Sequence, residues 1–251
     1  MGDAVMDGFS DRGSTPLRST KFESVRKSEN ALFMQVFALF VFLKKVVLGC
    51  FGPLEFKKSG VMLGSLLAKR EPVAGLLLLG GAGVSMKDAL LYQNRLTVEE
   101  FKSKKGLLGL LLKGQANQAK MDAKVEALFS KCMNVKKDRI FFGGVMMNAK
   151  WISEHGSYTS EEFVKMLEDF DKPVLAITGT ADLSVDYRTL QMFGDMNHVQ
   201  TYAPQNVNHM LRVIDDDNSM MTVQKQYKRL AAQPIHKETE EVIIQWLRQF
   251  A

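Results

Sequence analysis

Cysteine is scarce in this chain: Cys50 and Cys132 are the only two among 251 residues. Two thiols are too few to staple a disulfide-built secreted scaffold or to supply a four-thiolate zinc site, and they fit a reducing compartment, the cytoplasm. A basic leader is also lacking. The opening MGDAVMDGFSDRGSTP carries acids where a secretory signal would carry lysine or arginine, and it has no early apolar run. Long hydrophobic runs are missing as well. The longest, Ala31 to Leu43, is interrupted by Gln35 and closed by Lys44 and Lys45. It falls short of the ~20 residues needed to cross a bilayer, so a buried helix is expected there and no membrane span. Charge of one sign does not dominate: 33 lysines and arginines stand among 28 aspartates and glutamates, a net charge of +5. The bases are dispersed among acids, so no nucleic-acid partner is expected.

What is present is an ordinary globular composition, 46% hydrophobic and 24% charged. That is enough apolar material for a sizeable core without metal or disulfide support. Residues 1–19 are Gly-, Ser-, Asp- and Arg-rich without a period and read as a flexible arm. Thr20-Lys21-Phe22-Glu23 has the form of a capping box, and the helical stretch behind it reaches about Leu43. Short apolar runs bounded by Gly or Pro predict strands at Lys45–Gly49, Val73–Leu79, Pro173–Thr178 and Val199–Ala203. Helical patterns fill Val61–Arg70 and Tyr187–Phe193, and residues 86–170 read as almost wholly helical. At the end Val242, Ile243, Trp246, Leu247 and Phe250 share one helical face.

Short apolar strands alternating with helices imply an α/β fold with a mostly parallel sheet covered on both faces. The core then comprises 20–85 and 171–251, with the helical block 86–170 inserted over one edge of the sheet. Ligands of such folds bind outside the carboxyl ends of the strands. This directs the search to Gly49–Ser59, Gly80–Ser85, Gly179–Asp186 and Gln205–Met210.

Within those loops the sharpest constellation is Ile177-Thr178-Gly179-Thr180-Ala181-Asp182 followed by Asn206-Val207-Asn208-His209-Met210. An acid just past one strand and a histidine just past the next can meet at one rim. There the carboxylate would hold the imidazole tautomer and stabilise the imidazolium. The bland alternative makes Asp182 a helix cap and His209 an ordinary loop histidine.

These residues resemble the closing half of the α/β-hydrolase fold, where the acid follows one late strand and the histidine the next. Ala68 to Gly81 is similar to the helix after the nucleophile, the next strand and its loop. Asp11-Arg12-Gly13-Ser14-Thr15 is similar to the loop before the first long helix. The branch most resembled is the lysophospholipase or serine-aminopeptidase-like group of esterases, over roughly residues 10–250. The resemblance implies that the helical block 86–170 is a cap. It also implies a serine hydrolase acting on a small acyl or lipid-like substrate, with His209 as general base and Asp182 orienting it, and no cofactor or metal.

Two family features are missing. No Gly-x-Ser-x-Gly elbow occurs: the strand register puts Phe51 at the nucleophile position, and counting back from the helix reaches Lys58 or its neighbour. Ser59 is the hydroxyl nearest the expected helix start and is the candidate nucleophile, with the Cys50 thiolate as an alternative. Only ten residues precede the Asp-Arg-Gly loop here, so the strands that normally lie before it, and a histidine- and glycine-rich loop that donates half of an oxyanion hole, are not expected. One lost donor costs ~100- to 1,000-fold in rate. The competing expectation is therefore a catalytically impaired relative that binds a small apolar ligand or a protein partner. An exposed sheet edge would invite a homo-dimer.

Other motifs carry less. Gly81-Ala82-Gly83-Val84-Ser85-Met86 has Met86 where a dinucleotide fingerprint needs its third glycine. Asp215-Asp216-Asp217 lacks the spaced ligands of a calcium loop. His155, His198 and His236 have no partner at metal spacing and read as surface or capping residues. Leu107 to Leu112 reads as a cap helix packed on the sheet, or else as a tunnel or membrane contact.

Overall fold

The computed structural model describes residues 46–50, 60–70 and 72–250. The N-terminal arm, the helix expected after Thr20, the Asp11–Thr15 loop and the segment carrying Ser59 lie outside the described residues. Four parallel strands form the main sheet in the order β1 (Val46–Cys50), β2 (Gly75–Leu79), β5 (Val174–Ile177) and β6 (Val199–Tyr202). Between β1 and β2 runs α1 (Gly60–Ala68). Between β2 and β5 lie α2 (Met86–Ser103), α3 (Gly106–Lys113), α4 (Gln118–Met133), the hairpin strands β3 (Arg139–Phe142) and β4 (Val145–Asn148), α5 (Ala149–Gly156) and α6 (Ser160–Glu168). A 3₁₀ helix, Tyr187–Phe193, joins β5 to β6, and α7 (Val223–Leu230) and α8 (Lys237–Leu247) close the chain.

The parallel sheet flanked by helices is as expected from the sequence, and its strands explain the continuous apolar runs. β2 and β5 are buried at every position because both faces are covered. The period of two then divides the core. Leu76, Leu78, Val174 and Ala176 face one side, packing with Leu167, Leu190 and Phe193. Leu77, Leu79, Leu175 and Ile177 face the other, with Val207, Leu211 and Trp246. The five apolar positions of the C-terminal stretch, Val242, Ile243, Trp246, Leu247 and Phe250, all join this second cluster. Each fully buried leucine contributes ~1.5–3 kcal/mol relative to leaving it exposed.

Two expectations change. Residues 86–170, expected to be almost wholly helical, also hold a hairpin: Arg139–Phe142 and Val145–Asn148 pair antiparallel, with Phe142 opposite Val145. Gly143 and Gly144 turn the chain at φ 60° and 88°, a two-residue loop that needs positive φ at both positions. A Gly-Gly between apolar strand formers is the hairpin signal, and the surrounding helical periodicity obscured it. The leucine run at 107–112 forms α3 but does not pack on the sheet. Leu107, Leu110 and Leu111 are exposed, and α3 rests on α2.

The register aligns the strand ends. Cys50 pairs with Leu79, Leu79 with Ile177, and Ile177 with Tyr202. The carboxyl ends of all four strands therefore lie at one rim.

Candidate active site

Asp182 and His209 meet at this rim. Asp182 Oδ2 lies 2.8 Å from His209 Nδ1, and both side chains are almost completely buried. Because a carboxylate only accepts, Nδ1 carries the proton and donates it, which leaves Nε2 as the basic nitrogen of the ring. The second carboxylate oxygen, Oδ1, accepts from the amides of Ser184 at 2.7 Å and Val185 at 3.1 Å. Three donors thus fix the carboxylate, so it can orient the ring without moving itself.

Glycines bring the two loops together. A Cβ at Gly179 would fall 2.0 Å from the carbonyl oxygen of Val207, so only glycine permits this approach. Around that contact the amide of Ala181 donates to Val207 O at 3.0 Å, and the amide of Asn206 donates to Thr180 Oγ1 at 2.8 Å. The histidine rides on a short hairpin-like turn. Val207 bridges Val213, the Ile214 amide donates to Asn206 O at 2.7 Å, and Asn208 Oδ1 accepts from the amides of Met210 and Arg212, each at 3.0 Å. Leu211, at φ 60°, is a non-glycine residue held in the left-handed region, and its side chain anchors the turn in the second core cluster. Arg212 clamps the same turn, donating to the carbonyls of Met210 and Gln233. Burial draws its pKa below the usual arginine value.

The loop after β2 closes the third side. Gly80, at φ 75°, places its Cα against the imidazole, and a Cβ there would lie 2.8 Å from His209 Cε1. A Cβ at Gly83 would meet Phe193 at 2.7 Å. Protein side chains thus fill the glycine loop that a dinucleotide phosphate would otherwise occupy. Ser85 instead caps α2, accepting from the Asp88 amide.

His209 opens onto a cleft, continuous with solvent, that lies between α2, α5, α7 and the rim. Met62, Met86, Leu90, Trp151, Val185 and Met220 supply its apolar wall, while Gln93, His155 and Tyr227 supply polar groups. Methionine-rich walls suit a flexible apolar ligand, because unbranched thioethers repack. Tyr227 is buried; desolvation, and then the charge of Asp182, raises its pKa far above the usual phenol value, so it stays a neutral donor. Tyr92 donates to the backbone oxygen of Asp182 at 3.2 Å, and burial together with Asp186 and Asp182 pushes it up to about 12.

Sequence reasoning named Asp182 and His209, and the structure brings them together. His155, expected as a surface or capping residue, lines the cleft; its ring centroid lies 4.5 Å from that of Trp151 with the planes tilted by 36°, and Nδ1 is 2.7 Å from the Trp151 carbonyl oxygen. No motif marks His155, Gln93 or Tyr227, since each reaches the cleft through the cap or C-terminal packing. His198 bonds to Leu167 O, and His236 precedes α8. Asp215, Asp216 and Asp217 are exposed, with Asp216 paired to Arg229. Ser59 lies outside the described residues. Cys50 ends β1 at the rim, and Met62, three residues after Ser59, lines the cleft with His209.

No protein-family model matches the chain, and no curated protein matches it. Among solved structures it is similar to VinJ, at 17% identity over 94% of this chain and 76% of that one, with a TM-score of 0.39. It is also similar to proline iminopeptidase of Mycobacterium smegmatis (15% identity, 89% and 72% covered, TM-score 0.38). A third similarity is to the meta-cleavage product hydrolase of Pseudomonas fluorescens IP01 (15%, 90% and 75%, TM-score 0.34).

Proposed function

We propose that this chain is an α/β-hydrolase-fold relative that acts on an ester or related acyl substrate, with residues 86–170 serving as its cap. The observation that carries the reading is the buried 2.8 Å contact between His209 Nδ1 and Asp182 Oδ2, with His209 lining a largely apolar cleft. A bland loop histidine needs neither a carboxylate fixed by two amides nor a cleft in front of it.

In this reading the Ser59 hydroxyl gives its proton to His209 Nε2 as its oxygen bonds to the substrate carbonyl. The imidazolium, held by Asp182, returns that proton to the departing alcohol. Water then repeats the exchange on the acyl-enzyme and frees the acid. Support for Ser59 comes from its neighbours: it directly precedes α1, whose residue Met62 shares the cleft with His209. The apolar wall favours the acyl side of a lipid-like ester, the substrate class of the lysophospholipase-like branch.

His209→Ala should abolish turnover of p-nitrophenyl esters while leaving the melting temperature within a few degrees of wild type. Hydrolysis at the wild-type rate in that variant overturns the assignment.

One observation favours a second reading, a ligand-binding relative without turnover: no Gly-x-Ser-x-Gly surrounds Ser59. Trp151 reports on it directly, since it lines the cleft. A long-chain fatty acid that quenches Trp151 fluorescence in a protein without esterase activity would favour that reading.

A further inference from the structure

We propose that α3 is a docking element for an anionic lipid surface. Leu107, Leu110 and Leu111 lie at helical spacing on one face, and they are 77%, 70% and 63% exposed. Three large aliphatic side chains turned to water on one short helix are not explained by the fold, because α3 rests on α2 through its other side. Gly109, by contrast, is buried, and a Cβ there would meet the carbonyl oxygen of Lys104 in the connection between α2 and α3.

Charge decides what covers the leucines. Between Phe101 and Met121 the sequence holds Lys102, Lys104, Lys105, Lys113 and Lys120 and no acid. These five lysines equal the whole chain's net charge of +5, so the rest of the molecule is formally neutral. Lys104 pairs with Glu100 at 3.2 Å, while Lys102, Lys105, Lys113 and Lys120 are exposed. A second copy of this chain would bring the same lysines against these and be repelled. An anionic bilayer answers both features, since the leucines enter the acyl boundary while the lysines meet the headgroups. With eight residues, α3 is far shorter than the ~20 a span needs, so association through it is peripheral and reversible. It needs neither His209 nor a nucleophile, and so stands apart from the proposed hydrolysis.

The test is co-sedimentation with phosphatidylcholine vesicles, with and without phosphatidylserine, in low and high salt. Wild type should sediment with the phosphatidylserine vesicles and not with phosphatidylcholine alone, and salt should release it. Each lysine near the surface strengthens partition roughly fivefold, so Lys105→Glu with Lys113→Glu should weaken binding at least ~25-fold. Leu107→Ser with Leu110→Ser and Leu111→Ser should abolish it, and because these side chains are exposed the variant should melt like wild type. His209→Ala should bind like wild type. Absence of wild-type binding, or binding that survives the leucine substitutions, overturns the proposal. So does a wild-type dimer in sedimentation velocity that those substitutions convert to monomer, since a second copy would then cover the face.

Discussion

Gly80 and His209 are in direct contact: the bare Cα of the glycine, at φ 75°, leaves less room beside the imidazole than one methyl group needs. The ring is thereby fixed at Nδ1 by a carboxylate and packed along Cε1 and Nδ1 by a backbone turn. Gly80→Ala meets two penalties, the left-handed backbone at ~1–2 kcal/mol and the overlap with His209 Cε1. The expected result is a lower melting temperature together with loss of the downfield Nδ1 proton resonance that a buried His-carboxylate pair gives. Retention of that resonance would show that the ring tolerates the methyl group.

Asp182→Asn separates orientation from folding. An asparagine can still accept from the Ser184 and Val185 amides, but its side-chain amide no longer requires Nδ1 to hold the proton. If the chain turns over esters, the rate should fall by ~10⁴-fold, as expected for a wrong tautomer. The melting temperature should change much less than for Asp182→Ala.

Gly179→Ala should damage the site through the backbone. The added Cβ would sit 2.0 Å from Val207 O, so the loops carrying Asp182 and His209 must part. Overpacking of this kind costs ~1–3 kcal/mol. At ~2–4 °C per kcal/mol for a domain of this size, differential scanning calorimetry should resolve it.

Alkali should loosen the same region. The folded-state pKa of Tyr92 and of Tyr227 lies above the ordinary value of 10. The folded protein therefore holds these protons in a range where the unfolded chain has released them. Their contribution to stability is complete below pH 10 and is lost as pH rises through the folded values. Unfolding free energy should fall above pH 10, and the fall should be smaller in Tyr227→Phe. An unchanged slope in that variant would contradict the placement of its hydroxyl.

Much of this was legible in the sequence because it rests on local pattern. Continuous apolar runs bounded by Pro and Gly mark β2 and β5, and the spacing from Asp182 to His209 puts one carboxylate and one imidazole on successive loops. The face shared by Val242, Trp246 and Phe250 marked the closing helix. What stayed hidden depends on long-range packing. The Gly143-Gly144 hairpin lay inside a helical periodicity. His155, Gln93 and Tyr227 converge on the cleft from elements far apart in the chain, where no spacing links them. The exposure of Leu107, Leu110 and Leu111 is a tertiary fact, since the same leucine run would serve equally well buried.

The most direct test of a working site is labelling by a fluorophosphonate probe, which reacts with a serine only when a base activates it. Wild type should be labelled, and Ser59→Ala and His209→Ala should each remove the label. Labelling that persists in Ser59→Ala, or a folded wild type that takes no label, would overturn the proposed triad.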